Sequence, residues 1–377
     1  MNPRIDVSGW IFWPGRNDEQ GVEFARLLAS AQEGGATVAE CVQTVSRITE
    51  GDEHSWHREW IRLADRVMEC GERALAAGNE VTAGRNWLRA INYYLASINL
   101  FSEEDRRGRA AIEAMRKCAE NYLRRGPVRG EIVAIPWLQQ RALQAYLLLP
   151  PGRRGPSPVV ICLGEPGHRK EEYLFKLARH AGERGLALLA VDLWGEGSDD
   201  CLADVIGDPD VETVLQRAVD HLLQRDDIDA SRTAALADAW GSSFVARCVA
   251  AEPRIAAAVC DGGLWDLRER SYLAARAVGG ESDEAPDPLT SHVARKIECP
   301  LLITLGERGW LKADDAGAFA DRLRSRGRDV TFKAFVPVET AAEQGHADNP
   351  TLANEYIFDW LAARLGQGLR PGWRRQR

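Results

Sequence analysis

From Pro158 onward the chain alternates short β-branched and aliphatic runs with helical stretches, and no other feature restricts its fold as much. The runs VVICLG, LALLAVDLWGEG, TAALADAWG, IAAAVCDGG, PLLITLGERG and DVTFKAFVP are separated by EEYLFKLARHAGERG, VETVLQRAVDHLLQR, SSFVARCVAAEP, an irregular helical stretch and DDAGAFADRLRSRG. LANEYIFDWLAARLG closes the series. Strands joined by helices of that length pair in parallel through right-handed crossovers. The expected class is therefore α/β, with a doubly wound, mostly parallel sheet. Such a sheet takes its ligands at the carboxyl ends of its strands. Function is to be sought in the exit loops EPGHRKEE, DLWGEGSDD, ADAWGSS, DGGLWDL, GERGWLKADD and VETAAEQGHADN.

The first third has a different texture. Residues from about 17 to 125 contain no proline and read as four or five helices. Trp56, Trp60, Leu63, Val67 and Met68 recur at helical spacing, and Gly78 followed by Asn79 marks a stop. After Arg125, GPVRGEIVAIPW and LQAYLLLPPGRRGPSP have the alternation and the Gly/Pro boundaries of a hairpin. The expected division is a helical domain over 1–125 and an α/β domain over 126–377.

Composition excludes several classes. With a net charge of −8 and one basic cluster, the tail LRPGWRRQR, the chain is not built for nucleic acid. No apolar run approaches the roughly 18 residues that span a bilayer. The N-terminal stretch MNPRIDVSGWIFWPGRNDE lacks the basic, apolar and small-residue segments of a signal peptide, so a cytoplasmic location is expected. The eight cysteines form no CxxC pair and several sit inside apolar runs, which reads as buried reduced thiols. GEPG and GEG lack the spacing of phosphate loops, so neither cofactor nor metal is expected.

The exit loops carry the chemistry. ADAWGSS has the context of a nucleophile elbow, strand then tight turn then helix, with small residues Ala237 and Gly241 around the central position. At that centre, where serine would stand, is Ala239. Ser242 and Ser243 lie on the following helix and point elsewhere. His346 follows the last strand and precedes the helix containing FDWL, the place of a general base. His54 and His57 belong to the helical part, His180, His221 and His292 to helical stretches facing solvent, and His168 to a loop that Arg169 and Lys170 mark as solvated. The amides of Glu165 and Trp240 are placed to face one developing negative charge. Trp194, Trp240, Trp265 and Trp310 stand at four strand exits, either walling a pocket for a planar ligand or packing against the helices. Asp238 reads as a satisfied polar group beneath the elbow, with a second acid–base group as the alternative, and Asp192 as a cap or brace for the neighbouring loop.

Together LGEPGHRKEEY, ERGLALLAVDLWGEG, the elbow, GH before a DWL helix, SWHREW and ALAAGN resemble the family of 2,6-dihydroxypseudooxynicotine hydrolase, with the fungal polyketide-shortening hydrolases and the fermentation-respiration switch protein. The resemblance runs from about residue 17 to 365. It implies an α/β-hydrolase fold with an N-terminal all-helical cap, cleavage of esters or of the carbon–carbon bond of a 1,3-dicarbonyl, and a Ser-His-Asp triad. Extended caps in this group go with dimers, so a homodimer is implied as well. Residue by residue, the histidine falls on His346, the serine on Ala239 and the acid on Gly309. Glu307, Asp314, Asp315, Asp261 and Asp266 are the acids nearby, with Asp266 preferred. An engineered knock-out would leave Ala239, whereas the second departure at Gly309 points to natural divergence.

The leading expectation is an enzyme acting on an ester, acyl or 1,3-dicarbonyl bond of an aromatic or polyketide-like small molecule. The alternatives are a cyclase, lyase or isomerase using His346 with the oxyanion site, and a ligand-binding homologue without catalysis.

Overall fold

The computed structural model describes residues 19–49, 51–98, 106–126, 128, 130–137, 141–164, 169–192, 212–238, 241–264, 293–309 and 311–366. The chain divides into two compact units.

The first unit is built on five helices: α1 (Glu19–Ala29), α2 (Val38–Val45), α3 (Glu53–Ala76), α4 (Glu80–Ile98) and α5 (Arg106–Arg125). It also takes in Glu171–Arg179 and Ala347–Thr351. α3 starts where the Asp52 carboxylate accepts hydrogen bonds from the amides of His54 and Ser55, a cap that stabilises a helix by about 1 kcal/mol. Beyond its end, Gly78 takes a left-handed φ of 78°. Trp56, Trp60, Leu63 and Val67 form the buried stripe expected from their spacing, with Met68 at its half-buried edge. Trp60 meets Trp56 at 5.6 Å and Tyr93 of α4 at 5.8 Å. The buried Glu33 accepts from Arg179 at 2.9 Å and Thr351 at 2.6 Å, which ties the two short later segments into this unit.

The second unit holds an eight-stranded sheet ordered β1-β2-β4-β3-β5-β6-β7-β8. The strands are β1 (Gly130–Trp137), β2 (Arg141–Leu148), β3 (Ser157–Leu163), β4 (Ala187–Val191), β5 (Ile228–Asp238), β6 (Ala257–Asp261), β7 (Leu301–Gly306) and β8 (Val330–Phe335). β2 runs antiparallel to β4, and from β4 to β8 every pairing is parallel. In chain order α6 (Lys170–Lys176), counted with the first unit from Glu171 on, and α7 (Ala178–Glu183) lie between β3 and β4, α8 (Val214–Leu222) between β4 and β5, α9 (Gly241–Ala251) between β5 and β6, α10 (Ala313–Ser325) between β7 and β8, and α11 (Pro350–Arg364) follows β8.

Each central strand is buried throughout or nearly so, as a sheet covered on both faces requires. On one face Ile161, Leu189, Ala235, Ala258 and Ile303 share a core with residues of α8, α9 and α10. On the other, the Trp360 indole of α11 donates to Thr331 of β8. Also buried is His180 of α7, stacked on Phe358 of α11 with centroids 6.0 Å apart. This corrects the expectation that His180 faces solvent; its apolar ring body serves the core. Among the described residues the cysteines are free thiols, and burial pushes Cys41, Cys118 and Cys248 up to about 12. Among the same residues no helix is long and apolar enough to cross a membrane.

Candidate active site

Parallel register brings three polar side chains into one row. Asp238 ends β5 opposite Asp261 of β6, and Asp261 lies opposite Thr304 of β7. Residues paired in register point to the same face, so the row stands at the carboxyl end of the sheet on the α11 side. Thr304 is the one polar residue in the otherwise apolar strand β7. It is fully buried and donates its hydroxyl to Asp261 Oδ1 at 2.6 Å.

His346 completes the row. It stands between β8 and α11, as its sequence position requires, and is 2% exposed. Its Nε2 lies 2.7 Å from Asp261 Oδ1 and its Nδ1 lies 2.6 Å from the carbonyl oxygen of Ala341. The Phe335 ring meets the imidazole edge-on at 4.9 Å. Asp261 therefore takes two hydrogen bonds on Oδ1 and, among the described residues, none on Oδ2.

The loop that carries His346 is pressed onto the exit of β7. Arg308 N donates to Ala342 O at 2.8 Å, and the Arg308 guanidinium pairs with Glu343 at 3.0 Å. A side chain at Gly306 would meet the carbonyl oxygens of Ala342 and Glu343 at 2.3 and 2.4 Å, so only glycine permits this approach. Gly309 is similarly closed in: a Cβ would stand 2.8 Å from Gln344 Oε1 and 3.0 Å from Gly306 O. Thr340, Ala341 and His346 all take left-handed φ values, of 69°, 57° and 56°. Non-glycine residues held there store strain, which tends to concentrate at functional sites.

At the exit of β4, both oxygens of Asp192 are engaged. Oδ1 accepts the Lys170 amide at 2.6 Å and Oδ2 the Lys170 ammonium at 2.7 Å. Lys170 also lies 4.8 Å from the Tyr146 ring centroid. Asp192 is thus the brace expected of it, but Lys170 is buried, which corrects the reading of its surroundings as solvated. The charge run Arg169-Lys170-Glu171-Glu172 resembles a solvated face, and its partner is remote in sequence.

Of the expected site residues, the structure places His346, and beside it Asp261, one of the acids weighed for it. Glu307 and Asp314 are exposed. Asp266, Ala239, Trp240, Glu165, Trp194, Trp265 and Trp310 lie outside the described residues, as does His168. The elbow's context is nevertheless present: β5 ends at Asp238 and α9 begins at Gly241. Ser242 is buried on α9. Sequence reasoning missed Thr304, whose signal was its polarity within an apolar run, and the Ala341 carbonyl, which has no side-chain signal. Among the described residues no group of His, Cys, Asp and Glu is arranged to hold a metal ion.

Comparison with known proteins bears on this arrangement. The family described as Esterase FrsA-like matches residues 6–267. The hydrolyase poxO of Penicillium oxalicum is 34% identical over 353 residues, covering 91% of this chain and 77% of its own. The 20-hydroxy-prefusarin hydrolase FUS2 of Gibberella moniliformis is 33% identical over 66% of this chain and 61% of its own. Among solved structures, the 2,6-dihydroxy-pseudo-oxynicotine hydrolase shares the fold at a TM-score of 0.70 and 21% identity, over 92% of this chain and 98% of that one. The fold is that of the α/β-hydrolases with an N-terminal helical region.

Proposed function

Because the chain belongs to the FrsA-like esterase family, we propose that it is an enzyme that cleaves an ester, acyl or 1,3-dicarbonyl carbon–carbon bond of an aromatic or polyketide-like small molecule. The observation that carries this reading is the buried Asp261–His346 pair at the strand exits of an α/β-hydrolase sheet. A relative named for hydrolysis of 20-hydroxy-prefusarin supports it.

The route follows from the residues. With Ala239 at the elbow there is no hydroxyl to form an acyl-enzyme, so water is the nucleophile. The water oxygen bonds to the substrate carbonyl carbon, and the carbon–carbon or carbon–oxygen bond breaks. Its electron pair leaves with the enolate or alkoxide, which takes the proton held by the pair. The pair regains a proton from the attacking water. The amides of Glu165 and Trp240 hold the oxyanion and need no particular side chain. Trp194, Trp265 and Trp310 wall the pocket.

Ala239 favours one second reading, a lyase that removes water without any covalent intermediate, and the relative named a hydrolyase supports it. Product mass separates the two. Incubation with an aryl-substituted 1,3-diketone and mass spectrometry is expected to give two fragments whose carbons sum to the substrate. Loss of one water with every carbon retained replaces the first reading by the second. Saturable binding without turnover reduces the protein to a ligand-binding homologue.

A further inference from the structure

We infer that the main-chain carbonyl of Ala341 holds His346 in its Nδ1-protonated form, the task a carboxylate performs in a serine triad, and that Asp261 works on the opposite nitrogen. This rests on the reading of His346 as the acid–base group of the site.

A carbonyl oxygen only accepts, so the imidazole nitrogen 2.6 Å from Ala341 O carries a proton in every state of the ring. The ring cannot be turned over instead, because that would bring carbon atoms against two oxygens at hydrogen-bond distance. In the triad template the carboxylate accepts from Nδ1 and leaves Nε2 to face the nucleophile. Here the order is reversed: the carbonyl takes Nδ1 and the Asp261 carboxylate takes Nε2. One proton is shared across that 2.7 Å contact, and it is the one the site can give up and regain.

The carbonyl is aimed by the loop itself. Ala341 and Thr340 before it are held in left-handed conformations that L residues adopt only under constraint. The constraint is the packing on β7, through Arg308 N to Ala342 O and the bare Cα of Gly306. The same loop, through Gln344, fills the space a side chain at Gly309 would need. The absence of an acid at 309 and the presence of a carbonyl on Nδ1 thus have one cause. Ala341 acts as a positioning residue through its backbone, and no orienting carboxylate is required.

Nitrogen-15 NMR of histidine-labelled protein tests this directly, with His346 among the seven histidines identified by loss of its signals in His346→Gln. Wild type is expected to show a proton on Nδ1. In Asp261→Asn the Nδ1 proton is expected to persist while Nε2 becomes an acceptor for the asparagine amide. A bare Nδ1 in wild type, or a shift of the proton to Nε2 in Asp261→Asn, overturns the inference. Should Asp261→Asn fail to fold, the wild-type spectrum alone decides. Turnover is not read here, so a protein that cleaves nothing can still carry the Nδ1 proton, and one that cleaves can lack it.

Discussion

Asp192 and Asp261 occupy equivalent places, buried carboxylates at strand exits of one sheet, each paired with a cationic or proton-bearing side chain at 2.7 Å. They differ in what the partner can do with its proton. Lys170 gives Asp192 both an amide and an ammonium, the two carboxylate oxygens are used, and an ammonium donates without any lone pair to accept. His346 gives Asp261 an imidazole nitrogen, a group that can donate a proton or accept one, and Oδ2 is left without a bond among the described residues. Burial and pairing alone therefore do not identify a reactive carboxylate. The chemistry of the partner does.

The largest expected effect breaks the reactive pair. Asp261→Asn removes the acceptor of the shared proton but keeps its shape, and should lower turnover about 10³- to 10⁴-fold, the scale found for triad members. The fold should lose little, on the order of 1–2 kcal/mol in urea unfolding, because a neutral imidazole needs no counter-charge. A variant that keeps more than a tenth of the activity removes Asp261 from the chemistry.

Lys170→Met should do the opposite. It removes the ammonium that balances the buried Asp192 carboxylate, a loss of about 3–5 kcal/mol on the urea midpoint, while the folded fraction keeps turning over. Replacing both partners, Lys170→Met with Asp192→Leu, should recover most of that stability. If Lys170→Met abolished turnover at unchanged stability, the contrast between the two carboxylates would fail.

That contrast also explains which parts of the molecule could be read from the residues. Helix α3 and the strand–helix alternation were legible because hydrophobic periodicity is local, as Trp56, Trp60, Leu63 and Val67 illustrate. His346 was legible from its place between the last strand and the last helix. What could not be read depends on pairing across the sheet. Asp261 ends β6 and Asp266 comes after it in the sequence, and it is the register of β6 with Thr304 of β7 that brings Asp261 to His346. Lys170 sits in a charge run whose burial is decided by Asp192, twenty-two positions away. The Ala341 carbonyl has no letter of its own, since any residue there supplies the same atom.

Thr304→Val sharpens the comparison at a smaller scale. The exchange keeps volume and removes one hydroxyl, leaving His346 as the one partner of Asp261 Oδ1 among the described residues. Loss of a buried hydrogen bond to a carboxylate should cost about 1–3 kcal/mol of stability. Turnover should fall about tenfold, through a carboxylate less well held against Nε2. An unchanged rate would show that Thr304 supports only the sheet.

The smallest expected effect belongs to Ala239→Ser, although it restores the residue an acyl-enzyme requires. A serine hydroxyl becomes a nucleophile when an imidazole nitrogen takes its proton, and that nitrogen is Nε2 in the triad template. In this chain Nε2 is 2.7 Å from Asp261 and Nδ1 is committed to Ala341, so a serine hydroxyl would have to displace Asp261 to bond to the imidazole. A p-nitrophenyl ester should therefore give no burst of product, and the steady rate should rise less than about tenfold, or 1.4 kcal/mol. A stoichiometric burst would mean that His346 leaves Asp261 readily and that the pair is no barrier to serine chemistry. Its absence would mean that the alanine at 239 and the carboxylate on Nε2 belong to one arrangement, in which the acid–base pair and not a hydroxyl is the working part.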